Sequence, residues 1–416
     1  LSTADFDTSE AIAWLPEQWQ QFLLTKGERP FRALQVFRWI HKRGIADPAQ
    51  MTDLSRSLRS ALESISLQMP SAITHLHESA DGTKKALISF VKGGTVETVL
   101  IPPLAQDAAD RAELDESTDS TDSTDSTDSH EQREHDLASA SATAGNVGLR
   151  AAAKRVTQCI SSQVGCAMGC VFCASGIAGL KRNLTAGEIV SQVLLGRAQL
   201  NADEALRNVV MMGMGEPLHN YGNLSQALKL LLHPEGSNLS SRRVTVSTSG
   251  LVPEIDRLAK DFNGLVALAV SLHAPDDELR SSLMPINRRY PLRELIAALE
   301  RYPLTPRRKI TIEYTLIRGI NDSVQQARAL ARVLRNVRCK INLIPMNPVE
   351  DSPYQMPDDT QVGAFQEQLR SLGMSAFIRT QRGDDIAAAC GQLALKGELA
   401  TKRRLPVTQN GATSNG

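Results

Sequence analysis

No apolar run in this sequence approaches the roughly 18 residues that a membrane-crossing helix needs. The stretch 265–272 is far shorter and contains a serine, so no membrane association is expected. The opening residues, LSTADFDTSE, carry neither a basic nor an apolar region, and no secretory signal is expected. Cysteine is scarce: six in 416 residues cannot build a disulfide framework, and three of them fall within eight residues. That usage suits a reducing compartment and predicts a cytoplasmic protein. Net charge is missing as well, with 46 basic and 46 acidic residues. The balance hides an asymmetry. Residues 106–144 hold twelve Asp/Glu and two Arg, and without them 44 basic residues face 34 acidic ones. Such a surplus is compatible with a polyanionic partner such as RNA.

What is present divides the chain into five parts. Residues 9–66 read as a helical accessory domain, with Leu54, Leu58 and Leu62 recurring every four residues and Leu34, Phe37 and Ile40 every three. Trp14, Trp19 and Trp39 lie there, interleaved with Lys26, Arg29, Arg32, Arg38, Lys42 and Arg43. This mixture either forms an RNA-binding platform or separates into buried aromatics and a solvated basic face. Residues 67–104 predict a β-hairpin extension, with strands over 86–91 and 95–101 turning at Gly93-Gly94. Residues 105–152 contain an acidic low-complexity repeat, which cannot bury enough apolar surface to offset its ordering entropy and is expected to be a disordered insertion. Residues 153–396 alternate β-rich runs (156–162, 208–212, 243–247, 265–272, 309–316, 339–344) with helical segments (186–200, 223–232, 253–261, 292–301, 323–335). That alternation predicts an α/β fold, a partial TIM-like barrel of six βα units, whose chemistry belongs at the C-terminal ends of the strands. Residues 397–416 read as a basic, disordered tail.

The strongest chemical signal is Cys166-x3-Cys170-x2-Cys173. Thiolates at this spacing can hold three irons of a [4Fe–4S] cluster, and because such clusters usually take four thiolates, one iron is left open for another ligand. A structural zinc site with a remote fourth ligand, or a chance grouping, is the alternative; zinc pairs usually recur, and no second pair follows. Gly213-x-Gly215-Glu216-Pro217 follows an apolar strand, where glycine admits close backbone approach and Glu216 can accept from an ammonium; an ordinary turn reads the same way. Ser247, Ser271, His273 and Asn347 fall at strand ends, either as ligand contacts or as satisfied polar groups. Cys390 sits in a sterically open Ala-Ala-Cys-Gly stretch, where a lone cysteine is otherwise a small buried residue. Cys159 is ambiguous, and Cys339 reads as structural. Glu97, alternating with apolar neighbours, is by default outward and solvated.

The triplet together with GMGEPL, RRVTVSTSG, SLHAP, INLIPMNP and RGDDIAAACGQL, in this order, resembles the RlmN family from about residue 15 to 404. These are dual-specificity radical S-adenosylmethionine (SAM) methyltransferases acting on C2 of adenosine in 23S rRNA and in tRNA. The resemblance implies a (β/α)6 partial barrel with an N-terminal helical domain, one cluster on Cys166, Cys170 and Cys173, and SAM contacts at Gly215, Glu216, Ser247, Ser271, Leu272, His273 and Asn347. It implies that Cys390 carries the methyl as S-methylcysteine, that Cys159 resolves the RNA adduct through a transient disulfide, and that Glu97 is the proton acceptor. A monomer served by an electron donor such as flavodoxin is also implied. The chain departs from its relatives in the 61 residues between Glu97 and Cys159, where they have a short link. A Cfr-like enzyme acting on C8 is the nearest alternative; that subgroup departs at GEP and RGDD, both present here. A zinc-stabilised RNA-binding protein and a radical SAM activase acting on protein are the alternatives of other classes.

Overall fold

The computed structural model describes residues 7–103, 153–347, 353–386 and 388. Cys390, the acidic insertion and the basic tail lie outside the described residues. Among the described residues, ten strands form one open sheet in the order β1-β2-β3-β4-β7-β8-β9-β10-β11-β12. The first part is an antiparallel meander: β1 (Ser71–Glu78), β2 (Lys84–Phe90), β3 (Thr95–Ile101) and β4 (Lys154–Cys159). A short ladder, β5 (Gln163–Val164) with β6 (Arg182–Asn183), stands apart. From β4 the sheet runs parallel through β7 (Glu204–Met211), β8 (Val244–Thr248), β9 (Ala267–Ser271), β10 (Ile310–Leu316), β11 (Cys339–Pro345) and β12 (Ala376–Ile378). The expected partial barrel is there, with one further short parallel strand, β12. The expected hairpin is a three-stranded meander, because β1 pairs along β2.

Three accessory helices, α1 (Pro16–Thr25), α2 (Arg32–His41) and α3 (Arg56–Glu63), precede the sheet. All three tryptophans are core residues, at 0–6% exposure, and the basic side chains around them form the solvated face. Phe37 meets His233 edge-on at 4.7 Å and Arg38 pairs with Glu235 at 2.6 Å, fastening α2 to the barrel. The core runs unbroken from these helices into the barrel. Between the strands lie α4 (Ala174–Ala178), α5 (Ala186–Arg197), α6 (Tyr221–Leu232), α7 (Val252–Phe262), α8 (Asp277–Leu283), α9 (Leu292–Glu300), α10 (Val324–Val333) and α11 (Asp359–Ser371). Capping boxes at Thr185/Glu188 and Ser323/Gln326 start α5 and α10, each satisfying amides that the first helical turn leaves open. No helix of the described residues is long and apolar enough to cross a membrane.

Despite the insertion, β3 and β4 are neighbours, with Val99 opposite Cys159. Glu97 corrects the solvated reading. Five consecutive residues of β3 are buried, so both faces of the strand are covered, and Glu97 is 8% exposed with its Oε1 3.2 Å from the Lys85 ammonium.

Candidate active site

The cysteine loop is shaped by its backbone. The β5–β6 ladder closes its base, Cys166 N–H donates to Gly179 O (3.2 Å), and Cys173 N–H donates to Cys170 O (3.2 Å) as α4 begins. Gly176 is required there, since a Cβ would lie 2.8 Å from Cys170 O and 2.9 Å from its N. All three cysteines line one cavity with Gly213, Gly215, Glu216, Ser247, Ser249, Ser271, His273, Glu313, Asn347 and Arg379. Its space, counted out into the open solvent at its mouth, is about 990 Å³.

The donor set suits a cluster. Burial pushes the Cys166 thiol up to about 12 and the Cys170 thiol higher still, and the neighbouring cysteines and Glu216 add to both. Thiols so placed ionise when iron takes the proton's place. Among the described residues no three His, Cys, Asp or Glu side chains converge on a single metal ion, as structural zinc would need. A four-iron cluster instead binds each thiolate at its own iron.

Glu216 is the carboxylate of the cavity. It is 3% exposed, with Oε1 accepting from Leu218 N–H (3.0 Å) and Oε2 from the amide (2.7 Å) and hydroxyl (2.8 Å) of Ser249. Burial raises its pKa, opposed by the bonds from Ser249. The carboxylate also lines the cavity, where it can accept from an ammonium. Gly215 adopts φ +101, and a Cβ there would lie 2.6 Å from the Gln163 side chain, whose Oε1 accepts from Glu216 N–H at 2.8 Å. His273 is also left-handed, at φ 58, and 5% exposed. Burial, with Arg280 adding, pushes its pKa down to about 3, so the ring is neutral. Its Nδ1 accepts from Thr315 N–H (2.9 Å), which assigns the proton to Nε2. Leu272 does not line the cavity: its side chain is core, its N–H donates to Glu313 O, and its carbonyl accepts from Arg280.

A second, smaller cavity is lined by Val99, Ile101, Cys159, Thr380, Gln381, Arg382 and Ala388, and it shares Ile344, Asn347 and Arg379 with the first. Ala388 is two residues before Cys390. Cys159 is 4% exposed. Asn347 stands between the two cavities, its Oδ1 accepting from Gln381 Nε2 at 2.8 Å. Glu97 lines neither, but shares a face of β3 with Val99 and Ile101, which line the second. Ser249, at the strand-end rim, lines the cavity with Glu313 and Arg379, and Arg280 braces it from behind; the last three are missed by sequence reasoning. Ser249 alone had a signal there, in RRVTVSTSG.

Comparison with known proteins agrees with this geometry. Residues 160–331 match the Radical SAM superfamily, and residues 15–67 match the Ribosomal RNA large subunit methyltransferase N-terminal domain. The protein named dual-specificity RNA methyltransferase RlmN in Sorangium cellulosum is 57% identical over 393 residues, covering 94% of this chain and 97% of that one. Its namesake in Marinobacter nauticus is 41% identical over 390 residues, 92% of each. A crystal structure of a radical SAM methyltransferase from Sphaerobacter thermophilus superposes with a TM-score of 0.76 at 41% identity, covering 92% of this chain and 98% of the other. With likeness of this degree over nearly its whole length, the chain belongs to the RlmN family of dual-specificity RNA methyltransferases, within a radical SAM superfamily that uses a [4Fe–4S] cluster and SAM.

Proposed function

We propose that this protein methylates C2 of adenosine in 23S rRNA and in tRNA, with Cys390 as methyl carrier and Cys159 as its resolving partner. The observation that carries the reading is the shared wall. The cavity of the cysteine triplet and the cavity of Cys159 have Ile344, Asn347 and Arg379 in common, and Ala388, next but one to Cys390, lines the second. A methyl carrier must reach SAM on one side and RNA on the other, and two adjoining cavities suit that demand.

Adenine C2 is electron-poor, so direct displacement of a methyl from SAM fails there. The group held by Cys166, Cys170 and Cys173 supplies, when bound and reduced, the electron that cleaves SAM and gives a hydrogen-abstracting carbon radical. Glu216 orients the SAM ammonium, while Ser247, Ser271, His273 and Asn347 line the rest of its cavity. Cys390, as thiolate, first takes a methyl by ordinary nucleophilic displacement. Loss of a hydrogen atom from that methyl lets the carbon bond to C2. The adduct's extra electron would return to the oxidised group held by Cys166, Cys170 and Cys173, and its C2 proton would pass to Glu97, leaving a methylene-bridged adduct. The Cys159 thiolate then attacks the Cys390 sulfur: an S–S bond forms, the C–S bond breaks, and the freed carbon takes a proton to become methyl. Residues 9–66 present basic surface to RNA, and the enzyme works as a cytoplasmic monomer with a low-potential donor such as flavodoxin.

Nucleoside mass spectrometry tests this, on rRNA fragment and tRNA incubated anaerobically with reconstituted enzyme, SAM and reductant. Appearance of 2-methyladenosine, lost in Cys390→Ala, is expected. Formation of 8-methyladenosine would overturn the C2 assignment, and no methylated adenosine despite SAM cleavage would overturn RNA as the substrate.

A further inference from the structure

Arg280 is fully buried on α8, at 0% exposure. Its Nε donates to Leu272 O (3.1 Å), Nη1 to Asn287 Oδ1 (2.8 Å), and Nη2 to Ser249 O (2.6 Å) and Ser271 O (3.2 Å). One guanidinium therefore clamps the ends of β8 and β9 and the 3-10 turn Pro285–Arg288 together. Two of the residues it grips, Ser249 and Ser271, line the cavity of the three cysteines, and Ser249 in turn holds the Glu216 carboxylate. The planar fork is what reaches three carbonyls on two strands; a lysine point charge cannot.

The charge is as unusual as the geometry. Every acceptor on Arg280 is neutral, and it makes no ion pair among the described residues. A buried cation without a counter-charge is costly. Asp277, bonded to the far side of Asn287, favours the charge from a distance. The loaded site would add more: three thiolates outweigh the cluster core they bind, and reduction adds one more negative charge. Arg280 and Cys170 already interact electrostatically, each favouring the other's charged form.

We propose that Arg280 is a positioning residue with two separable roles. Its fork fixes the strand ends that grip SAM, and its charge raises the reduction potential of the cluster. The inference rests on the cluster-and-SAM part of the function above and not on which adenosine carbon is methylated.

The test compares wild type, Arg280→Lys, Arg280→Met and Arg280→Gln as reconstituted holoenzymes, matched for iron and sulfide. SAM affinity is measured by equilibrium binding, and the cluster's midpoint potential by redox titration followed by electron paramagnetic resonance. Arg280→Lys should keep a near-wild-type potential and bind SAM about tenfold more weakly, as expected for losing charge-assisted bonds. The neutral variants should also shift the potential to more negative values; Arg280→Gln retains a donor in case Arg280→Met fails to fold. Wild-type SAM affinity in Arg280→Lys would overturn the positioning role. An unchanged potential in a folded, fully loaded neutral variant would overturn the electrostatic one. A wild-type protein that takes up no four-iron cluster would instead overturn the function proposed above.

Discussion

The Lys85 ammonium stands 3.2 Å from Glu97 Oε1, with both side chains about nine-tenths buried. The two belong to adjacent antiparallel strands, where Leu87 faces Glu97 and Lys85 faces Val99, so the pair crosses the ladder diagonally on one face. The carboxylate proposed to take a proton is thus held beside a buried cation. Removing one member takes the ion-pair partner from a buried charge, at a cost of up to about 3–5 kcal/mol. Lys85→Met should therefore lower the denaturation midpoint, and pairing it with Glu97→Gln should restore much of that loss without restoring 2-methyladenosine. Recovery of methylation in the double variant would remove Glu97 from the chemistry.

The barrel was legible because its parallel strands are covered on both faces and so read as short apolar runs. Val209, Val244, Val246, Ile310 and Ile341, all at 0% exposure, are what the sequence displays. Strand β1 was not legible: Ser71–Glu78 is an edge strand with most of its residues exposed, and it lacks the alternation that burial imposes. Strand β12, three residues long, is too short for any period to show. Among site residues, those inside motifs were found. Arg280 was missed because an arginine in a polar helical stretch reads as surface, and only tertiary packing buries it. Glu97 was misread for the converse reason: alternation marks an outward face but does not tell whether something covers it.

The RGDD motif acquires a mechanical meaning. Arg382 donates to Pro102 O (2.6 Å) and Gly383 N–H to Asp81 Oδ2 (3.1 Å), while Asp385 accepts from Ser79 Oγ (2.5 Å) and Ala80 N–H (3.2 Å). The segment leading towards Cys390 is thus tied to the β1–β2 turn. Asp81→Ala and Asp385→Asn should leave SAM cleavage intact while lowering S-methylation of Cys390, and its oxidant-driven disulfide with Cys159, by about tenfold. Peptide mass spectrometry reads both, and wild-type levels of each would show that the tether does not position the cysteine.

His41 sets an acid limit on the seam between accessory helices and barrel. It is fully buried and stacked at 4.5 Å on Phe37, which itself meets His233. Burial, with His233 adding, pushes its pKa from 6.5 down to about 3. The folded value lies below the unfolded one, so the unfolded chain binds the proton first. The contribution is whole above pH 6.5 and falls as pH drops towards 3, by about 1.4 kcal/mol per pH unit. Denaturant titrations across that window should be shallower in pH for His41→Phe than for wild type. Parallel slopes would mean that His41 does not titrate with unfolding.

The acidic insertion interrupts the chain between two strands that nevertheless pair in register, Val99 to Cys159 and Ile101 to Thr157. Closure entropy grows only slowly with loop length, each doubling costing about 0.6 kcal/mol, so deleting residues 107–136 should leave the thermal midpoint nearly unchanged. RNA affinity is a different matter. The deletion removes acidic charge tethered to a chain whose remainder is basic, and a tethered polyanion competes with RNA for that surface. The truncated enzyme should bind RNA more tightly at low salt, with the difference vanishing at high salt, where both sets of contacts are screened. Equal affinity at every ionic strength would separate the insertion from RNA binding altogether.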